Sequence, residues 1–318
     1  MNERFFSVSA PQVFCLLLFY LLSGMMLFSG GSFFAALFCA LFSACLAVIA
    51  FGICGSKGSS LALYSRAFGA FARPLRLIAA FFSALPLAGT LAAFSREISA
   101  FHGEGAPLRF ALPLALFGII AVYGSFRRAA RFSELCVFML ACALLLALFG
   151  GGEGLRFDFS ENALFSGVDA IGAPAIFFSL YLRCVTPESG KMSGFAEKSK
   201  FHPSPLAVGI LAPFAALAIY SYFCFSGGNV LFSLFSWFFA LARLLLFSLA
   251  MADLLAYPEK KEGAKCALLA CAFCAFWLIL SSFFGGIAAR VQVFAAVIPP
   301  CAIFICSVFA QEKRAYEL

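Results

Sequence analysis

Ten apolar runs, each about as long as a bilayer is thick, fill the chain near residues 13–29, 32–54, 75–95, 108–123, 133–150, 166–183, 205–225, 230–256, 264–285 and 289–310. A spanning helix needs roughly 20 mostly apolar residues, because about 30 Å of hydrocarbon is crossed at about 1.5 Å per residue. Lipid offers backbone N–H and C=O groups no partner, so only helices and closed barrels cross it. Barrel strands alternate apolar and polar residues, whereas a stretch such as Val137–Phe149 is apolar on all sides. The runs therefore predict an all-α polytopic membrane protein, with residues 1–318 as a single transmembrane domain. Composition agrees, since 12% charged residues is about half the usual share in a soluble domain.

Basic residues set the expected orientation, because cytoplasmic loops are enriched in Lys and Arg. Alternate gaps hold Arg4; Lys57, Arg66, Arg73 and Arg76; Arg127, Arg128 and Arg131; Arg183, Lys191, Lys198 and Lys200; Lys260, Lys261 and Lys265; and Lys313 with Arg314. These are 17 of the 22 basic residues. The opposite gaps hold only Arg96, Arg109, Arg156 and Arg290, while Arg243 lies inside a run. Ten helices with both termini cytoplasmic is the expectation. The first run is long for a signal peptide and lacks a small-x-small cleavage site, so it reads as the first helix. The net charge of +7 is explained by orientation and anionic headgroups, and implies no nucleic-acid partner.

Most of the 13 cysteines lie within apolar runs, where a free thiol behaves as a small hydrophobe. Cys271-Ala-Phe-Cys274 has the spacing of a CxxC, but no histidine or second pair accompanies it, so no metal or redox site is expected. His102 and His202 fall in loops on opposite faces. The chain has no P-loop, dinucleotide fingerprint, HExxH or GxSxG. It reads as a non-enzyme without a cofactor.

Charged side chains at membrane depth are expensive and mark functional sites by default. Asp169 lies in Gly167-Val-Asp-Ala-Ile-Gly-Ala-Pro-Ala, near the outer end of the sixth run, and either caps that helix or serves a site. Arg243 interrupts the eighth run, where it either snorkels from an outer interface or faces an anionic ligand or Asp169. Asp253, near the end of the same run, reads as interfacial.

Glycine and proline mark where helices break. The sixth run holds Gly167, Gly172 and Pro174; the first holds Ser23-Gly24 at its middle and Gly30-Gly31 at its end. Freed backbone groups are tolerated in a membrane only where they are buried or line a cavity, and transporters place such helices at the substrate site of inverted repeats. Ten helices split as five plus five, residues about 10–150 and 160–310, would pair run one with run six in opposite orientation. The glycines would otherwise serve close helix packing alone.

Three segments carry a family resemblance. Ser7-Val-Ser-Ala-Pro-Gln12, the loop Gly124-Ser-Phe-Arg-Arg-Ala-Ala-Arg131-Phe-Ser-Glu134 and Ala242-Arg243 resemble motifs of the B subunits of spore germination receptors, also called endospore germination permeases. Leu245 stands where that family has a glutamate after its arginine. The resemblance implies a 5+5 inverted-repeat fold of the LeuT-like amino acid–polyamine–organocation superfamily, in the inner spore membrane. It implies sensing of a small germinant, such as an amino acid, beside an A-type membrane subunit and a C-type lipoprotein. The ligand would then lie between the middles of helices one and six, against Ser23, Gly24, Gly172, Ala173 and Pro174, with Thr90 and Ser83 of helix three supplying hydroxyls. An autonomous H⁺- or Na⁺-coupled amino-acid transporter is the competing expectation.

Overall fold

The computed structural model describes residues 9–54, 64–65, 68–102, 126–148, 154–172, 175–182, 204–226, 230–255 and 263–283. The fourth and tenth apolar runs, Ala173, Pro174 and the side chain of Asp253 lie outside the described residues. The helices are α1 (Ala10–Phe28), α2 (Phe33–Cys54), α3 (Ala72–His102), α4 (Phe126–Ala147), α5 (Glu161–Ile171), α6 (Ala175–Leu182), α7 (Pro205–Ser226), α8 (Val230–Leu255) and α9 (Gly263–Phe283). A short 3₁₀ turn, Gly69–Phe71, leads into α3. The described chain is almost entirely helical, and five of its segments are long and apolar enough to cross a bilayer. It is an all-α membrane-embedded protein.

The first helix sits at the centre. Every residue from Leu16 to Met25 is buried, enclosed by α4, α5, α7 and α8. That enclosure explains why the run is apolar all round, since a helix buried on every face has no polar stripe. Around it, α2 packs on α5, α6 and α7, while α3 packs on α8 and α9. On α2 the buried face is small: Ala36, Cys39, Ala40, Ser43, Ala47 and Ala50 recur at helical spacing, which lets neighbouring backbones approach.

Large apolar side chains point away from the bundle. Phe138 and Leu145 on α4, Leu211 and Phe225 on α7, and Leu268 and Ile279 on α9 are all exposed, whereas Ser43, Ser83, Thr90, Ser133, Ser179 and Arg243 are buried. Polar groups inside and large apolar side chains outside, among the described residues, suit a lipid solvent; in water such a surface would be an aggregation liability.

The ends of α1 are fixed by local chemistry. At its start, Ser9 and Gln12 form a reciprocal capping box, with Pro11 in the first turn. At its end, Gly30 and Gly31 adopt positive φ of 54° and 84°, turning the chain into α2. There Arg156 N–H donates to Gly31 C=O at 3.0 Å and Phe33 N–H to Arg156 C=O at 2.9 Å, a one-residue parallel bridge. The Tyr220 hydroxyl accepts from Gly31 N–H at 3.0 Å. Gly30-Gly31 thus forms a turn rather than a break within the helix.

Candidate functional site

The sixth apolar run is broken. The α5 helix begins with Ser160, whose Oγ accepts from Ala163 N–H at 3.3 Å, and stops at Gly172, with φ 70° and ψ −135°. Only glycine adopts that region readily. Pro174 adds to the stop from the other side: it has no N–H, so a continued helix would leave the Ala170 carbonyl without its donor. The helix therefore ends inside the protein with unpaired carbonyls, which must find other partners.

Arg243 supplies most of them. Its side chain is fully buried, at 0% exposure. Nη1 donates to Ala170 C=O at 2.6 Å and to Tyr20 C=O at 2.9 Å; Nη2 donates to Asp169 C=O at 3.0 Å; and Nε donates to Thr90 Oγ1 at 3.2 Å. The Tyr20 hydroxyl donates to Ile171 C=O, and Gly172 N–H takes Val168 C=O at 3.2 Å. All four terminal carbonyls of α5 are thereby bonded, three of them by side chains from α1 and α8.

Burying a cation is costly unless it is bonded throughout. Besides its four hydrogen bonds, the guanidinium lies 4.4 Å from the Tyr20 ring centroid, 5.3 Å from Phe247 and 5.6 Å from Phe28, all within cation–π range of about 6 Å. The C-terminal end of α5 carries roughly half a negative charge, which favours a cation there. Every hydrogen-bond acceptor is neutral, however. No ion pair joins Arg243 to Asp169 among the described residues, and Asp169 Oδ1 is buried with no hydrogen-bond partner.

The expectation that α1 unwinds at Ser23-Gly24 is corrected: α1 is continuous from Ala10 to Phe28. Gly24 makes a notch instead. A Cβ there would overlap the Ala170 carbonyl and Arg243 Nη1, so glycine is what lets the end of α5 and the guanidinium press against α1. Ser23 Oγ donates to Tyr20 C=O at 2.9 Å within its own helix. Asp169 also lies deeper than its position near the end of the run suggested, about 12 Å along α5 from Glu161 at about 1.5 Å per residue. Ser160 occupies the N-cap, so the capping role for Asp169 falls away. Complete burial likewise removes the snorkelling reading of Arg243.

Gly24, Thr90, Asp169, Gly172 and Arg243 are therefore brought together, from four helices. Ser83, seven residues before Thr90, is buried on the same helix but makes no bond to Arg243. Sequence reasoning missed Tyr20, Phe28 and Phe247. The signal was present in spacing: Tyr20 precedes Gly24 by four residues and Phe247 follows Arg243 by four, which puts each pair on one helix face.

No known family model matches the chain, and no curated protein matches its sequence. The geometry around Arg243 is the basis for a functional reading.

Proposed function

We propose that the chain is a permease-like, ligand-sensing membrane subunit that binds a small carboxylate-bearing solute at Arg243. The observation that carries this is the fully buried guanidinium whose hydrogen-bond acceptors are all neutral oxygens. A carboxylate bonds a guanidinium about twice as strongly as a neutral acceptor and matches its two-pronged geometry. In this reading the α5 carbonyls hold Arg243 while the solute is absent. The solute exchanges for them and frees the end of α5, favouring a second state only to the extent that it binds that state better.

The finer architecture belongs to the same proposal: ten helices in two inverted five-helix repeats, both termini cytoplasmic, in the inner spore membrane. Contacts at the helix ends support the alternation of faces on which this orientation rests. The turn after α1 meets Arg156 and Tyr220, and the start of α1 meets Glu134. In each case the alternation of basic gaps assigns the partners to the same face. The resemblance to B-type germinant receptor subunits supplies the remaining elements, namely partnership with an A-type membrane subunit and a C-type lipoprotein, and signalling rather than catalysis.

The test is binding and transport by the purified chain in proteoliposomes. The sensor reading expects saturable binding of a carboxylate solute, lost in Arg243→Gln, with no gradient-driven accumulation. Accumulation against a gradient would replace the sensor with an autonomous transporter. Co-purification with an A-type subunit would support the receptor assignment.

A further inference from the structure

Residues 155–160, Leu-Arg-Phe-Asp-Phe-Ser, alternate apolar and polar side chains, the period at which an extended chain puts every second residue on one face. The segment lies where membrane helices end: α1 stops at Phe28, α2 starts at Phe33 and α5 starts at Glu161. Its main chain is held there by the bridge between Arg156 and the Gly31 turn, and the Ser32 hydroxyl donates to Asp158 C=O at 3.5 Å. Non-helical backbone can approach hydrocarbon only when its polar groups are bonded in this way.

Two large side chains on this segment are left uncovered. Phe157 is 66% exposed and Phe159 74%, although their rings meet Phe33 and Phe34 of α2, each at 5.4 Å between centroids. Leu164 and Phe165, on the first turns of α5, are exposed too. So are Arg156, Asp158 and Glu161, which interleave with them in sequence. Apolar and charged side chains sorted in this way suit a segment lying in the interface, with its rings among acyl chains and its charges among headgroups. A protein partner fits the patch poorly. Phe157 and Phe159 together offer at most about 500 Å², against about 800 Å² per partner in a standard interface.

We propose that Phe157 and Phe159 insert into the phospholipid leaflet at the boundary between acyl chains and headgroups, so that lipid holds the start of α5. Ser160 follows directly as the N-cap, so the hold on the two rings passes to the helix whose other end meets Arg243. The inference needs only the membrane-embedded fold and stands whether or not Arg243 binds a solute.

The experiment places p-benzoylphenylalanine at position 157, 159, 138 or 177 of the full chain and irradiates intact membranes. Phe138 is exposed on α4 and Phe177 is fully buried on α6, which makes them the two controls. Positions 157 and 159 should give phospholipid adducts, as 138 does, while 177 crosslinks only within the chain. Crosslinks from 157 and 159 to a second copy or to another protein, or no lipid adduct at either, would overturn the insertion. A second readout tests the hold on α5. In lipid nanodiscs, Phe157→Gln combined with Phe159→Gln should speed amide exchange at Ala163 and Leu164, whose N–H groups bond to Ser160. The expected factor is about tenfold, that for returning roughly one apolar side chain to water. Phe157→Trp combined with Phe159→Trp, which suits the interface, should stay within a factor of about 3 of the parent. Equal exchange in the parent and the glutamine form would show that lipid does not hold α5.

Discussion

Gln12 Nε2 donates to Glu134 Oε1 at 2.9 Å, across 122 residues of sequence, tying the first turn of α1 to α4. The same side chain uses its oxygen to accept from Ser9 N–H at 3.1 Å, closing the helix cap. Only an amide can do both, because a carboxylate has no donor to offer. Two of the three segments that carry the family resemblance thus meet in space.

Gln12→Glu keeps the cap acceptor, removes the donor and sets two carboxylates against each other. It should destabilise the start of α1 by about 1 kcal/mol. Combined with Glu134→Gln, which restores a donor–acceptor pair of opposite sense, most of that loss should return. A double-mutant cycle on thermal unfolding in detergent measures the coupling; additive effects would mean the bond contributes nothing.

Gly24→Ala inserts a methyl group where the Ala170 carbonyl and Arg243 already lie, and neither backbone can retreat cheaply. The expected loss is about 1–3 kcal/mol, the usual range for overpacking. Gly52→Ala is the matched control: nothing lies within 4 Å of its added Cβ, so stability should rise or hold within about 1 kcal/mol. Similar midpoints for the two variants would remove the notch.

Tyr20→Phe keeps the ring over the guanidinium and removes the one hydroxyl on the Ile171 carbonyl. Leaving a buried acceptor unpaired costs about 1–3 kcal/mol. Amide exchange should accelerate in α5 while that of α9, which packs on α3 and α8, stays unchanged. Uniform acceleration across the bundle would show that the hydroxyl does not hold α5 in particular.

Arg243→Lys retains the charge without the planar fork, and one ammonium cannot reach acceptors on α1, α3 and α5 together. It should unfold at a lower temperature than the parent, and Arg243→Met lower still, because the α5 carbonyls are then orphaned without compensation. A loss of about 3–5 kcal/mol for Met is the range seen when one partner of a buried charged network is removed. Parity of Met with the parent would show that the carbonyls find other donors.

Eight of the ten apolar runs coincide with described helices, while the fourth and tenth lie outside the described residues. The membrane character was legible in the sequence, because hydropathy over a bilayer's length is a strong and local signal. The break at Gly172 was legible for the same reason: glycine and proline act on their own backbone. Misreading Gly24 as a second break has a clear physical origin. A helical glycine is equally a weak point and a place for close approach, and only the neighbour decides which. Here the neighbour is the end of α5, 146 residues away between Gly24 and Ala170. Arg243 was found as a charge in the wrong place, but its partners are mostly main-chain oxygens, which carry no sequence signature. Tyr20 and Phe247 stayed hidden among the 44 phenylalanines and 8 tyrosines because aromatic residues in a membrane segment are ordinary.

Because α1 is walled in along its middle turns, it is the part of the bundle least free to shift. Any switching between states must be borne by the shorter pieces hung around it, α5 above all, with α1 as the spindle. The strap from Arg156 to the Gly31 turn then acts as a tether at one end of that spindle, so a swing of α5 would be felt first at the membrane edge where the tether is anchored.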